Sequence, residues 1–158
     1  MVVTDRFESV FCRFLRRTIG SRGGPTKGDT VSREVVAQFW EAMASNDFGF
    51  AARWLHPDFE HFMPQTREYL KGREKFAVLN HAYPAKGRWL FDVQSIVSDG
   101  PSAVSDVVVT DGTTTARAIT FHTINDGLIL RQKEYWPEDY PAPDWRKPWV
   151  KLVDRDPF

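Results

Sequence analysis

The sequence predicts an α+β domain with its helices gathered on one face of a long antiparallel sheet. Three observations lead there. Apolar residues recur at helical spacing as far as Tyr83. From residue 88 onward the period drops to two, over four segments. Those segments are joined by SDGP, TDGT and NDG, and Asp-Gly beside β-branched residues marks tight hairpins. Short turns between successive strands give a meander, and strands following helices give an α+β arrangement.

The chain opens on FESVFCRFLRRTIG, which places Phe7, Val10, Phe11, Phe14, Leu15 and Ile19 at helical spacing beside Arg13, Arg16 and Arg17. Gly20 stops that helix, and SRGGPTKGD reads as a flexible linker. Residues 1–29 are thus expected to form an amphipathic helix and linker outside the main body. A surface-seeking or targeting helix, a helix packed on its own domain and an upstream extension all fit; Asp5 and Glu8 weigh against a transit peptide.

The body is expected over residues 30–137. Val35, Val36, Phe39, Trp40 and Met43 form an apolar helical stripe, with Thr30 or Ser32 as its cap. Asn46 and Asp47 break this helix, and Asp47 caps a short second one, FGFAARWL, ended with the help of Pro57. DFEHFMP is a short strand. KGREKFAVLNHAYP carries Phe76, Ala77, Leu79 and Tyr83 on one side of a third helix, stopped at Pro84. The four β segments span residues 88–98, 102–110, 113–124 and 128–136. Residues 138–158, rich in Pro and Trp, are expected to wrap over the body, because Trp145 and Trp149 need apolar cover.

The bulk numbers bound the function. A chain of 158 residues is one domain's worth. Its 21 basic and 21 acidic residues cancel, so nothing pulls it toward nucleic acid. Cys12 is the only cysteine, which fits a reducing, cytoplasmic setting. No apolar run approaches the ~18 residues of a membrane span. Aromatic residues make up 14%, enough for a bulky core or a ring-lined cavity.

The chemistry is expected on strand faces. In SAVSDVVVT, Val104, Asp106 and Val108 share one face; in the next strand Ala116, Ala118, Thr120 and His122 do. In the last, Leu128, Leu130, Gln132, Glu134 and Trp136 do. If all three faces meet the helices, Asp106, His122 and Glu134 converge on one cavity walled by Trp40, His61, Met63, Leu130 and Trp136. That is an acid/base constellation in an apolar setting, with the three titratable groups catalytic and the wall substrate-binding. The blander alternatives are a solvated Asp106 near the Asp-Gly turns, a Glu134 paired with Arg53, Arg73 or the C-terminal segment, and a His122 satisfied by a backbone carbonyl. The other sheet face, with Val107, Val109, Ile119, Phe121, Ile129 and Tyr135, is apolar too and is expected to meet a second copy of the chain. No metal site is expected, since Pro57 interrupts the spacing of His56 and His61. No cofactor is expected either, since RGGP lacks the strand and motif context of a phosphate loop, and no Gly-x-Ser-x-Gly elbow occurs.

The ordered set of HPDFEHFMP, GREKF and NDGLILRQKEYW resembles the NTF2-like superfamily, particularly its SnoaL-like branch, over roughly residues 31–140. That resemblance implies a cone: a curved sheet wrapped by three helices around an apolar pocket that takes a small hydrophobic molecule, and a dimer through the outer sheet face. Relatives include polyketide cyclases, ketosteroid isomerases, scytalone dehydratase, limonene epoxide hydrolase and non-enzymatic binders. Asp106 and Glu134 look like the two carboxylates of the epoxide hydrolase pattern, but Val104 stands where that pattern has an arginine. The reaction implied is therefore isomerisation, cyclisation or dehydration; the alternative is a binding or association module without turnover, its pocket plugged by its own side chains.

Overall fold

The computed structural model describes residues 27–157; the amphipathic helix expected before that lies outside the described residues. Helix α1 spans Lys27–Ala44, and a short α2, Phe48–Ala51, runs into a single 3₁₀ turn, Ala52–Trp54. Strands β1 (Leu55–Met63) and β2 (Glu68–Lys71) follow, then α3 (Arg73–Ala82). The rest is sheet: β3 (Leu90–Asp99), β4 (Ser102–Thr110), β5 (Thr115–Asn125) and β6 (Leu128–Tyr135). All six strands form one curved, unclosed sheet in the order β2-β1-β6-β5-β4-β3. The expected α+β architecture, with three helices, is what the described residues adopt. No helix among the described residues is long and apolar enough to cross a membrane.

Local signals place most elements. Val35, Val36, Phe39, Trp40 and Met43 are all buried, as one face of α1 must be to cover a sheet. Asp47 caps α2: its carboxylate accepts from the Phe50 N–H at 2.8 Å. The β5–β6 hairpin turns on Asp126 (φ 50°) and Gly127 (φ 75°), the left-handed pair that matches strand twist. Helix α1 is already formed at Lys27, the first described residue and three before the expected cap, so residues 27–29 of the expected linker are helical. Ser32 lies inside it and donates instead to the Gly100 carbonyl at 2.6 Å, tying α1 to the β3–β4 turn.

Two features depend on pairing between distant parts of the chain. Strand β2, EYLK, pairs antiparallel with β1, and β1 runs parallel to β6, from which no turn residue could have been read. The expected wrapping of the tail also differs. Trp145 and Trp149 are 69% and 77% exposed, so the tail does not cover its own rings. It does approach the sheet at its end, where Asp156 adds to the field that raises the Arg117 pKa, the larger cause being the hydrogen bond from Arg117 to Asp106.

Candidate functional site

The site lies on the inner sheet face, and register decides its members. Pairing sets Val107 beside Ala118 and Ser105 beside Thr120. Ala103, Ser105, Val107 and Val109 are therefore buried under the helices, while Val104, Asp106 and Val108 face outward. This corrects the expectation for Asp106. It sits on the opposite side of the sheet from Glu134, clamped by Arg117, whose Nε donates to Oδ1 at 2.7 Å and whose Nη2 donates to Oδ2. That pair depresses the Asp106 pKa, and an outward ion pair on a strand is a solvent-side feature, not pocket chemistry.

A bulge makes the second correction. The β5–β6 register shifts between Thr123 and Ile124, so that Ile124 pairs with Ile129 and Thr123 with Arg131. Leu130 is the extra residue, and the strand changes parity across it. Ile129 points into the core before the bulge; Gln132 and Glu134 point inward after it. Val107, Val109 and Ile129 thus belong to the core, and the outer face is made by Val104, Val108, Ile119, Phe121 and Tyr135.

With those registers, four strands and one helix place a line of polar side chains across the core. The Trp40 indole N–H donates to Ser105 Oγ at 3.0 Å. Ser105 Oγ lies 2.8 Å from His122 Nε2. His122 Nδ1 lies 3.3 Å from Gln132 Nε2, and Gln132 Oε1 lies 3.3 Å from His61 Nδ1. His61 Nε2 then faces Glu134 Oε1 at 3.8 Å. Glu134 ends the line: Trp136 Nε1 donates to Oε1 at 3.0 Å and the Thr120 hydroxyl to Oε2 at 2.8 Å. Ser105, Thr120, His61, His122 and Gln132 are all buried, and Glu134 is 9% exposed. Among the described residues no buried side-chain polar atom is left without a partner, as a dry core requires.

Burial sets the electrostatics. His122 is packed under the edge of Phe39, and desolvation, with a smaller contribution from His61, lowers its pKa to about 3. It is a neutral imidazole at physiological pH, with one N–H and one lone pair. His61 sits among Phe59 and Phe76 with ring centroids 6.2 and 6.0 Å away.

Beyond Trp136 the cone holds a cavity of about 310 Å³. Phe48, Tyr83, Trp89, Phe91 and Trp136 supply its rings. Trp136 is the shared element: its ring lines this cavity while its N–H holds Glu134. The β1–β2 turn fixes it, because Gln65 bonds both its carbonyl (2.9 Å) and its N–H (2.6 Å). Asp111, also in the cavity lining, accepts backbone N–H groups from Lys86, Thr114 and Thr113, which pull its pKa down to about 2. The loop packs so closely there that a Cβ on Gly87 would fall 2.6 Å from the Asp111 carbonyl oxygen.

The structure therefore brings His122, Glu134, Trp40, His61 and Trp136 into one connected arrangement. It leaves Asp106 outside it, and of the expected cavity wall only Trp136 lines the cavity: Trp40 and His61 lie in the buried line with His122 and Glu134, and Met63 and Leu130 are half-buried away from it. Around His122 the packing is solid where a void was expected. Gln132, Ser105 and Thr120, the links of the line, had no assigned role in the sequence; their signal was a stripe of polar residues at inward positions on neighbouring strands. Among the described residues no group of three or more metal-ligating side chains is gathered.

Comparison with known proteins agrees with this architecture. A candidate ketosteroid isomerase from Kribbella flavida is 29% identical, with a TM-score of 0.75 over 81% of this chain and 93% of that one. A candidate SnoaL-like polyketide cyclase from Jannaschia is 17% identical, with a TM-score of 0.62 over 72% and 90%. An LEH-like epoxide hydrolase from M. tuberculosis is also 17% identical, with a TM-score of 0.58 over 69% and 84%. The last two are likenesses of fold alone. Among curated proteins, none matches. The SnoaL-like domain model, however, matches residues 36–132, more than half of the chain, which therefore belongs to the SnoaL-like domain family and has its NTF2-like fold.

Proposed function

We propose that the protein binds a small apolar or polycyclic molecule in the aromatic cavity and that Glu134, partnered by His61, performs acid/base chemistry on it. The observation that carries this is the position of Glu134. It is the end of a buried polar line, it meets His61 at 3.8 Å, and the Trp136 ring that holds it is also cavity wall. A carboxylate so placed takes a proton from carbon next to a carbonyl, leaving an enolate, and returns it to another carbon, to complete an isomerisation. Cyclisation or dehydration uses the same proton transfers at a different bond. The likeness to the Kribbella protein named for ketosteroid isomerase supports this class. The test is a β,γ-unsaturated polycyclic ketone, followed by ultraviolet absorbance as it becomes the conjugated enone, with wild type and Glu134→Gln.

The second reading, a binder without turnover, is favoured by the solid packing around His122, which keeps substrate from that ring. Ligand retained with no reaction in either protein would select it. A cytoplasmic location is part of the proposal, with the lone cysteine as its support. So is a homodimer through the outer sheet face, where Phe121 is 49% exposed and stacks edge-on with Tyr135 at 6.0 Å. Phe121→Glu would put a charge into that apolar patch, and sedimentation velocity should show monomers in place of dimers. An unchanged profile removes this interface.

A further inference from the structure

Asp111 bears a charge that no side chain answers. It is 8% exposed, and the backbone N–H groups of Lys86, Thr114 and Thr113 keep its carboxylate ionised. Among the described residues no Lys, Arg or His side chain forms an ion pair with it. Carboxylates this enclosed ordinarily have a cationic partner. The N–H groups do not exhaust it either. Oδ1 accepts from Thr113 at 2.9 Å and from Thr114 at 2.8 Å, whereas Oδ2 accepts from Lys86 at 2.9 Å. An ionised carboxyl oxygen has two acceptor directions, so one on Oδ2 remains open.

The wall around Asp111 favours a partner of the same sign. No basic side chain lines the cavity, and Tyr83 and Trp89 are among its rings. These two stand at 75° with centroids 5.4 Å apart, so together they form a corner. The face of an aromatic ring is the negative side of its quadrupole and attracts a cation within about 6 Å of the centroid. The corner is braced by the backbone. Asn46 accepts the Trp89 N–H and donates to the Trp89 carbonyl, both at 2.9 Å, while Asp111 itself holds Lys86 three residues earlier. A wall fixed in advance costs little to order when a ligand arrives. An uncharged molecule filling this space would exclude water from the Asp111 carboxylate and give nothing back, whereas a cation replaces the lost interaction.

We propose that the molecule held in this cavity is an organic ammonium ion, a positively charged nitrogen on an apolar body, with Asp111 as its counter-charge and Tyr83 and Trp89 as its cage. This deepens the reading of the cavity as a ligand site and rests on it, adding the charge of the ligand. It does not depend on the acid/base role of Glu134. Rings and carboxylate divide the work: the rings accept the apolar body and the diffuse charge, and Asp111 rejects neutral molecules of the same shape by leaving its own charge unpaired.

The experiment uses two probes of one shape, 3-hydroxyphenyltrimethylammonium and 3-tert-butylphenol, which differ in charge alone. Each is titrated into the full-length labelled protein while the indole N–H signals are followed. The ammonium should bind at least about tenfold more tightly than the phenol, a difference of about 1.4 kcal/mol, and should shift Trp89. In Asp111→Asn, which keeps an oxygen for the Thr113 and Thr114 N–H groups, that preference should disappear. In Trp89→Leu, which keeps an apolar wall without the ring, it should shrink. The ratio between the two probes is the readout, because a cavity merely deformed by a substitution weakens both alike. A phenol that binds as tightly as the ammonium overturns the inference and leaves the cavity reading standing. So does a preference that persists undiminished in both variants. If neither probe binds, the cavity reading and the inference fall together.

Discussion

Glu134→Gln should lower turnover about a hundred- to ten-thousand-fold, the range that a positioned acid/base contributes, while ligand binding stays near the wild-type level. Glutamine has the same shape and keeps an oxygen for the Trp136 N–H, so the ring that lines the cavity stays in place. Its NH₂ can donate to Thr120 Oγ where the carboxylate accepted. The stability change should therefore be about 1 kcal/mol, the size of one altered hydrogen bond. The lost property is proton exchange at the end of the buried line. Kinetics and equilibrium binding measured on the same preparation separate the two effects. Turnover within a few-fold of wild type would remove Glu134 from the chemistry.

The stability of the protein should fall steeply in mild acid, with His122 as a principal cause. An unfolded histidine binds a proton near pH 6.5, whereas His122 in the fold does so only near 3, because burial under Phe39 penalises the cation. Between those values the unfolded chain holds one more proton than the native one. Stability contributed by keeping His122 neutral is thus fully present above pH 6.5 and lost as pH falls toward 3. The slope from this one group is about 1.4 kcal/mol per pH unit, and the total is on the order of 4–5 kcal/mol, comparable to the whole stability of a small domain. Urea unfolding at several pH values, for wild type and His122→Gln, checks it. The variant should have a shallower dependence between those limits. Parallel curves would mean that His122 is protonated inside the fold.

Much of the architecture was legible because local chemistry spoke for it. The turns SDGP, TDGT and NDG delimit β3 to β6 to within two residues, and the α1 stripe is buried residue for residue. Facing was harder. SAVSDVVVT has apolar residues at both parities, with Ala103, Val107 and Val109 at one and Val104 and Val108 at the other, so period alone cannot choose a side. Pairing with β5 makes the choice, and it sends Asp106 outward to Arg117. In β6 the bulge at Leu130 interrupts an alternation that the sequence presents as continuous, which is why Glu134 was placed correctly while Leu128 and Leu130 were not. Gln132 illustrates the remaining gap. Its role as a link exists only once β1, β5 and β6 lie side by side, and the parallel β1–β6 pairing joins residues about seventy positions apart. The tail shows the limit of composition: six Trp residues imply rings to be covered, yet Trp145 and Trp149 stand in solvent.

The indole N–H signals of the six Trp residues give the most direct test that the ring-lined cavity and Glu134 form one site. Titrating the labelled protein with an apolar polycyclic ketone should shift Trp136, bonded to Glu134, and Trp89, on the cavity wall, and leave the exposed Trp145 and Trp149 where they are. Saturable shifts confined to the tail, or binding that moves Trp89 and leaves Trp136 untouched, would contradict it.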